Sequence, residues 1–264
     1  MRVIMVGDIV GSVGRKALKE VLPVLKRNLQ PTFIVVNAEN AAAGRGITRA
    51  IATEILEYGA HAITLGNHTW DQKDTVDWIG SESKVIRPAN FPEGCPGNGS
   101  VVIKNGQYEL LVVNMQGRSF LPPIDCPFHK IDQILEPYKK KTMPILLDFH
   151  AEATAEKLAM AWYLDGRVSA VIGTHTHVQT NDERVLPNGT AVLTDVGMTG
   201  PLNGILGVER SPIIQKFLTQ MPTRFTVDEG IWQFHATVID IDPKTGLAKS
   251  IKKIRYHETD LWMT

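Results

Sequence analysis

Long apolar runs are missing from this 264-residue chain. None approaches the roughly 20 residues that a bilayer-spanning helix needs, so a membrane span is excluded. The opening Met1-Arg2-Val3-Ile4-Met5-Val6 is too short for the apolar region of a secretory signal and runs straight into Gly7-Asp8. Net charge is absent as well, with 28 Lys and Arg against 28 Asp and Glu. No global field draws in nucleic acid or an anionic membrane, and any nucleic-acid contact would be local. Cysteine is scarce: Cys95 and Cys126 have neither CxxC spacing nor a histidine spaced as in a zinc finger. A disulfide framework is excluded, two free thiols are expected, and the cytoplasm is the expected compartment. Linkers, repeats and low-complexity tracts are not visible, so residues 1–264 read as one domain.

What is present is a repeated grammar. Val168 to Ile172 is a short apolar run that reads as a buried strand, closed by Gly173 and followed by His175 and His177. Alternate residues of an extended segment share a side, so the two rings are expected to converge on one point. Converging imidazoles suit a metal; a hydrogen-bonded surface pair is the plain alternative. The pattern of apolar strand followed by polar residues occurs four more times. Arg2–Val6 leads to Gly7-Asp8, and Phe33–Val36 to Asn37-Ala38-Glu39-Asn40. Ala62–Leu65 leads to Gly66-Asn67-His68, and Pro144–Leu147 to Asp148-Phe149-His150. Ligands of open α/β sheets collect at the carboxyl ends of strands.

Helices are expected between these strands. Leu18, Val21, Leu22 and Leu25 share a face, with Pro23 placed to kink or split that helix. Thr48 caps a helix through Tyr58 that Gly59 stops, and further helices cover Ala153–Tyr163 and Ile213–Leu218. A dinucleotide fingerprint fails near the start, because Ile9 stands where GxGxxG needs glycine. The stretches Arg87–Gly99, Phe120–Phe128 and Gly197–Pro201 read as loops. Tyr108–Asn114, Ala191–Asp195, Trp232–Asp242 and Lys249–Tyr256 read as strands.

The strand ends together supply Asp8, Glu39, Asn40, Asn67, His68, His150, His175 and His177, with no thiolate. This donor set suits iron, manganese or zinc. It exceeds the roughly four ligands of one tetrahedral ion, and two ions sharing a carboxylate would use it fully. Asn40 and Asn67 also fit turns, and Asp148 and Asp71 read either as partners that fix histidine tautomers or as plain caps. Asp195, Gly197 and Gly200 follow a further strand end and are candidates for lining the site. Arg45 and Arg118 read equally as phosphate contacts or solvated surface. His61, His129, His235 and His257 lie outside the motifs and read as surface or satisfied core residues.

The series GD, NAEN, GNH, DFH and GTHTH resembles the calcineurin-like metallophosphoesterases, and in particular the bacterial YmdB family. The resemblance extends through NAENAAAGRGIT, GNHTWD, RPANFP, DFHAEATAEK, GTHTHVQT and DVGMTGP. Two features depart from the wider superfamily and match this branch: Asp8-Ile9-Val10 lacks the usual histidine, and Glu39 stands where a Gly-Asp is usual. The resemblance implies an α/β fold of two packed mixed sheets flanked by helices, an αββα sandwich. It implies a dinuclear phosphodiesterase that hydrolyses 2′,3′-cyclic nucleotides, or cyclic-phosphate RNA ends, by attack of a metal-bridging hydroxide. Asp8, Glu39, Asn40 and His177 would hold one ion; Glu39 would bridge to a second held by Asn67, His150 and His175; His68 would be the general acid. The ions would be iron or manganese, with zinc also suitable. A regulatory protein acting through partner or RNA binding, and a phosphomonoesterase on the same scaffold, are the rival readings. A homo-oligomer is left open.

Overall fold

In the strand Arg2–Val6, Ile4 and Val6 face one side, Val3 and Met5 the other, and all four are buried. A strand that is apolar on both faces needs a cover on each. The same holds for Phe33–Asn37 and Ile145–His150, so the fold must stack more than two layers. The computed structural model describes residues 1–139 and 141–260. The first half runs β1 (Arg2–Val6), β2 (Asp8–Ile9), α1 (Gly11–Leu29), β3 (Phe33–Asn37), α2 (Arg49–Tyr58), β4 (Ala62–Thr64), α3 (Thr75–Trp78), β5 (Val85–Ile86), β6 (Ser100–Asn105) and β7 (Tyr108–Gln116). Then come α4 (Pro127–Leu135), β8 (Ile145–His150), α5 (Thr154–Tyr163), β9 (Ala170–Thr174), β10 (Arg184–Val185) and β11 (Ala191–Leu193). β12 (Met198–Pro201), α6 (Arg210–Thr219), β13 (Trp232–Ile241) and β14 (Ala248–His257) close the described chain.

One sheet has the order β2-β12-β13-β1-β3-β4-β5, with β14 also paired to β13; the other has the order β10-β11-β9-β8-β7-β6. Val3, Met5, Phe33 and Val35 from the first meet Val112, Leu146, Ala170 and Ile172 from the second in a core between the sheets. The outer face of the first sheet packs on α1 and α2, and that of the second on α4 and α5. This is the expected αββα sandwich of two mixed sheets.

Several elements differ from expectation. α1 is one unbroken helix despite Pro23, which lies on the exposed side where water can serve the Lys19 carbonyl that loses its donor. Met198–Pro201 is a strand, since its backbone pairs with both β2 and β13. Arg87–Gly99 stays a connection, between β5 and β6, whereas Pro127, in the stretch read as a loop, begins α4 at a position that needs no N–H. The α2 reading holds: Thr48 Oγ1 accepts from Ile51 N at 3.3 Å, and Gly59 ends the helix at φ 107°.

β1, β3 and β4 run parallel, as do β7, β8 and β9, so their carboxyl ends form two adjoining edges. A buried carboxylate joins them. Asp148 on β8 accepts from Asn37 Nδ2 on β3 at 3.0 Å, from Thr64 Oγ1 on β4, and from Thr174 Oγ1 on β9 at 2.7 Å. Asp148→Ala leaves three buried donors without their acceptor, at about 1 kcal/mol or more each. The expected cost is about 3 kcal/mol or more, read from the urea unfolding midpoint; an unchanged midpoint would remove Asp148 as the tie between the sheets.

Candidate metal centre

The residues that end the strands meet around one atom, Nε2 of His150. Glu39 Oε1, Asn67 Oδ1 and His175 Nδ1 each lie 3.0 Å from it. Its other nitrogen, Nδ1, is tied to Thr174 Oγ1 at 2.8 Å, so the clasp at Asp148 also sets this ring's orientation. Glu39, His150 and His175 offer ligand atoms within 4.8 Å of one another. Gly66 permits the approach: a Cβ there would lie 2.4 Å from Glu39 Oε2 and from the His150 ring. Glu39 Oε2 also accepts from the His68 backbone N–H at 2.9 Å.

Asp8, Asn40 and His177 stand beside this group, not within it. Asp8 Oδ2 accepts from His175 N at 3.1 Å and lies 3.4 Å from His177 Nε2. Asp8 Oδ1 and Asn40 Oδ1 are buried without a partner among the described residues. His175 and His177 do not converge as alternate residues of a strand. β9 stops at Thr174, and φ values of 103° and 65° turn the rings to different neighbours, His175 to His150 and His177 to Asp8. Positive φ at two non-glycine residues is strain that the surroundings must hold. Asp195 holds it: Oδ2 accepts from Thr176 N at 2.9 Å and Oδ1 from Gly197 N at 2.9 Å. Lys157, buried on α5, pairs with the same carboxylate at 2.8 Å. His68 is set apart, its Nδ1 2.8 Å from Asp71 Oδ2.

Residues 4–254 match the family described as YmdB-like protein. The chain belongs to the YmdB-like family. It is 52% identical over 262 residues to a Bacillus subtilis (strain 168) protein named 2′,3′-cyclic-nucleotide 2′-phosphodiesterase, covering 99% of each chain. A Thermus thermophilus protein of known crystal structure superposes at a TM-score of 0.91 with 40% identity, covering 98% of this chain and 100% of that one. The calcineurin-like phosphoesterase YfkN from Bacillus subtilis superposes at 0.61 with 12% identity over 97% and 90% of the two chains, which shows the calcineurin-like fold. Among the described residues of this YmdB-like chain, no helix is long and apolar enough to cross a membrane.

Burial governs the charges. It opposes ionisation of both Glu39 and His150, yet their mutual attraction prevails, holding the carboxyl at about 2 and the imidazole at about 9. Burial pushes Asp148 up to about 6 against the pull of His150 and its three hydrogen bonds. His175 is lowered by burial and by the charge of His150, whereas contact with Asp8 raises His177 in spite of burial.

Three residues with roles here carried little sequence signal. Thr174 orients His150, and Lys157 pairs with Asp195. Glu152 meets His175 Nε2 at 2.9 Å, whereas Asp71 orients His68 as one of its two sequence readings has it. Lys157 could have been singled out as a lysine on the apolar face of α5, shared with Met160 and Ala161. His235 corrects the reading of it as a satisfied core residue. It is buried opposite Arg255 on β14, and both ring nitrogens lack a partner among the described residues. Burial first, then the charges of Arg255 and His257, push its pKa down to about 4 from 6.5.

Folding therefore keeps His235 neutral. Its stability contribution is complete above pH 6.5 and is lost as pH falls through 4. Between pH 7 and pH 5 this group alone removes about 2 kcal/mol. His235→Leu should flatten the unfolding midpoint over that interval by about this amount; a pH dependence equal to that of the parent would refute the assignment.

Proposed function

We propose that this chain is a metal-dependent phosphoric diester hydrolase that opens 2′,3′-cyclic nucleotides at the 2′ ester, acting as one domain in the cytoplasm. The convergence on His150 Nε2 supports this reading most directly. One ring N–H cannot serve Glu39, Asn67 and His175 together, whereas a cation among the four groups would satisfy all of them. The unpartnered oxygens of Asp8 and Asn40 fit a second cation in the same way. We assign Asn67, His150 and His175 to one ion, Asp8, Asn40 and His177 to the other, and Glu39 to both. This nitrogen and oxygen donor set suits iron or manganese, and zinc also fits. Two such cations, when bound, supply an activated water and neutralise the phosphoryl oxygens. The curated Bacillus subtilis relative, named for this activity, supports the same substrate class, and RNA ends bearing a 2′,3′-cyclic phosphate present the same bond.

The chain's own contribution is orientation and a proton. Water adds to phosphorus, the bond from phosphorus to O2′ breaks, and O2′ takes up a proton, leaving a nucleoside 3′-phosphate. An alkoxide is a poor leaving group, so a positioned acid is needed there. His68 is that acid. Asp71 holds its Nδ1, which leaves Nε2 for the substrate, and a quarter of its side chain is open to solvent. His150, His175 and His177 have their nitrogens committed to one another, to Glu39, Glu152, Asp8 and Thr174, and to the Leu206 carbonyl.

Turnover of 2′,3′-cyclic AMP to 3′-AMP by the manganese- or iron-loaded protein tests the proposal. Chelation should abolish it, Glu39→Gln should lower both bound metal and turnover, and His68→Ala should cut kcat by about 10²–10⁴-fold with metal retained. Activity that survives complete chelation, or metal content unaltered in Glu39→Gln, would overturn the assignment.

A further inference from the structure

If His68 protonates the departing O2′, the ribose that carries O2′ must lie on the His68 side of the centre, and the base beyond it. A cleft of about 540 Å³ opens there, within the range of small-molecule sites. It begins at Asp71, the residue that orients His68, and continues past Gln72. Its floor is the Ala42–Arg45 turn, tied to the centre where Asn40 Nδ2 donates to the Gly44 carbonyl at 3.0 Å. Its far wall is Phe225–Val227 with Val208. Gly44 (φ 91°) closes the end, because a Cβ there would lie 2.9 Å from Val227 Cγ2. The cleft is thus joined at two points to the residues that would act on the phosphate.

Its lining has the chemistry of base recognition. Phe225 is 42% exposed, an aromatic ring on the wall. Arg45 is an exposed guanidinium at the floor, and Gln72 is held across the cleft by its Nε2 bond to the Arg45 carbonyl at 2.7 Å. A flat, weakly hydrated base gains from stacking on an aromatic ring, and its edges carry donors and acceptors that an amide and a guanidinium can meet. We propose that this cleft is the nucleoside subsite, with the base stacked on Phe225 and its edge met by Gln72 and Arg45. This rests on the cyclic-nucleotide reading above and deepens it. A second hollow of about 250 Å³ lies beside His177 and includes His235 and Arg255, on the Asp8 side and apart from the acid.

Two substrates with the same five-membered cyclic phosphodiester separate the claims: 2′,3′-cyclic AMP, and glycerol 1,2-cyclic phosphate, which has no base. With metal-loaded protein, Phe225→Ala should raise KM for 2′,3′-cyclic AMP about tenfold with kcat within about twofold, and leave the glycerol diester unaffected. Calorimetric binding of 3′-AMP should weaken about tenfold in the same variant, while inorganic phosphate binds as before. The subsite is overturned if Phe225→Ala spares 2′,3′-cyclic AMP, if it impairs both diesters equally, or if the selective loss follows Arg255→Ala instead. Wild-type protein that turns over neither diester would overturn the phosphodiesterase reading itself, and the subsite with it.

Discussion

The buried carboxylate of Asp148 is the constraint on which the site depends. The two sheets meet through an apolar layer that has no directional preference of its own. At the edge where their strands end, Asp148 adds direction by taking hydrogen bonds from Asn37, Thr64 and Thr174, two from the first sheet and one from its own. Thr174 passes that alignment on to His150 Nδ1, and through Nε2 to Glu39, Asn67 and His175. A carboxylate this deep is costly, and its pKa is raised accordingly. Three donors are what keep it in place.

A second buried carboxylate, Asp195, does the same for the turn that carries His175 and His177. Two non-glycine residues at positive φ do not persist on local preference. The Thr176 and Gly197 N–H groups bond to Asp195, and Lys157 neutralises it from α5. His175 N then donates to Asp8, so the turn is fixed from both sheets. The rings are consequently aimed before any ligand arrives, which is the condition for tight and selective coordination.

Much of this was legible because strand ends advertise themselves. Short apolar runs followed by GD, NAEN, GNH, DFH and GTHTH mark the strand ends whose side chains the fold brings together, and the αββα layering follows from the family resemblance. What stayed hidden depended on distant partners. Met198–Pro201 has no strand-like pattern, and it becomes β12 only because β2 and β13 lie on either side. Pro23 reads as a breaker until its exposure is known. Thr174 and Lys157 are inconspicuous in sequence, since their roles are set by contacts 24 and 38 residues away. His175 and His177 do not meet at one point as strand alternation predicts: a strained turn aims one ring at His150 and the other at Asp8.

Exposure then separates the histidines in the way the proposed division into ligands and acid requires. His150 is sealed, and His175 and His177 keep only 17% and 12% of their side chains open, each engaged by a carboxylate. His68 keeps 25% and touches the centre through its backbone N–H, while its ring turns to Asp71. A ligand must be deprotonated and held; an acid must reach a substrate and exchange its proton with solvent. The same motif that brings Asn67 to His150 therefore places the next residue, His68, at the rim. From that rim the chain opens toward Arg45, Gln72 and Phe225, where a leaving group larger than the reacting phosphate has room to lie.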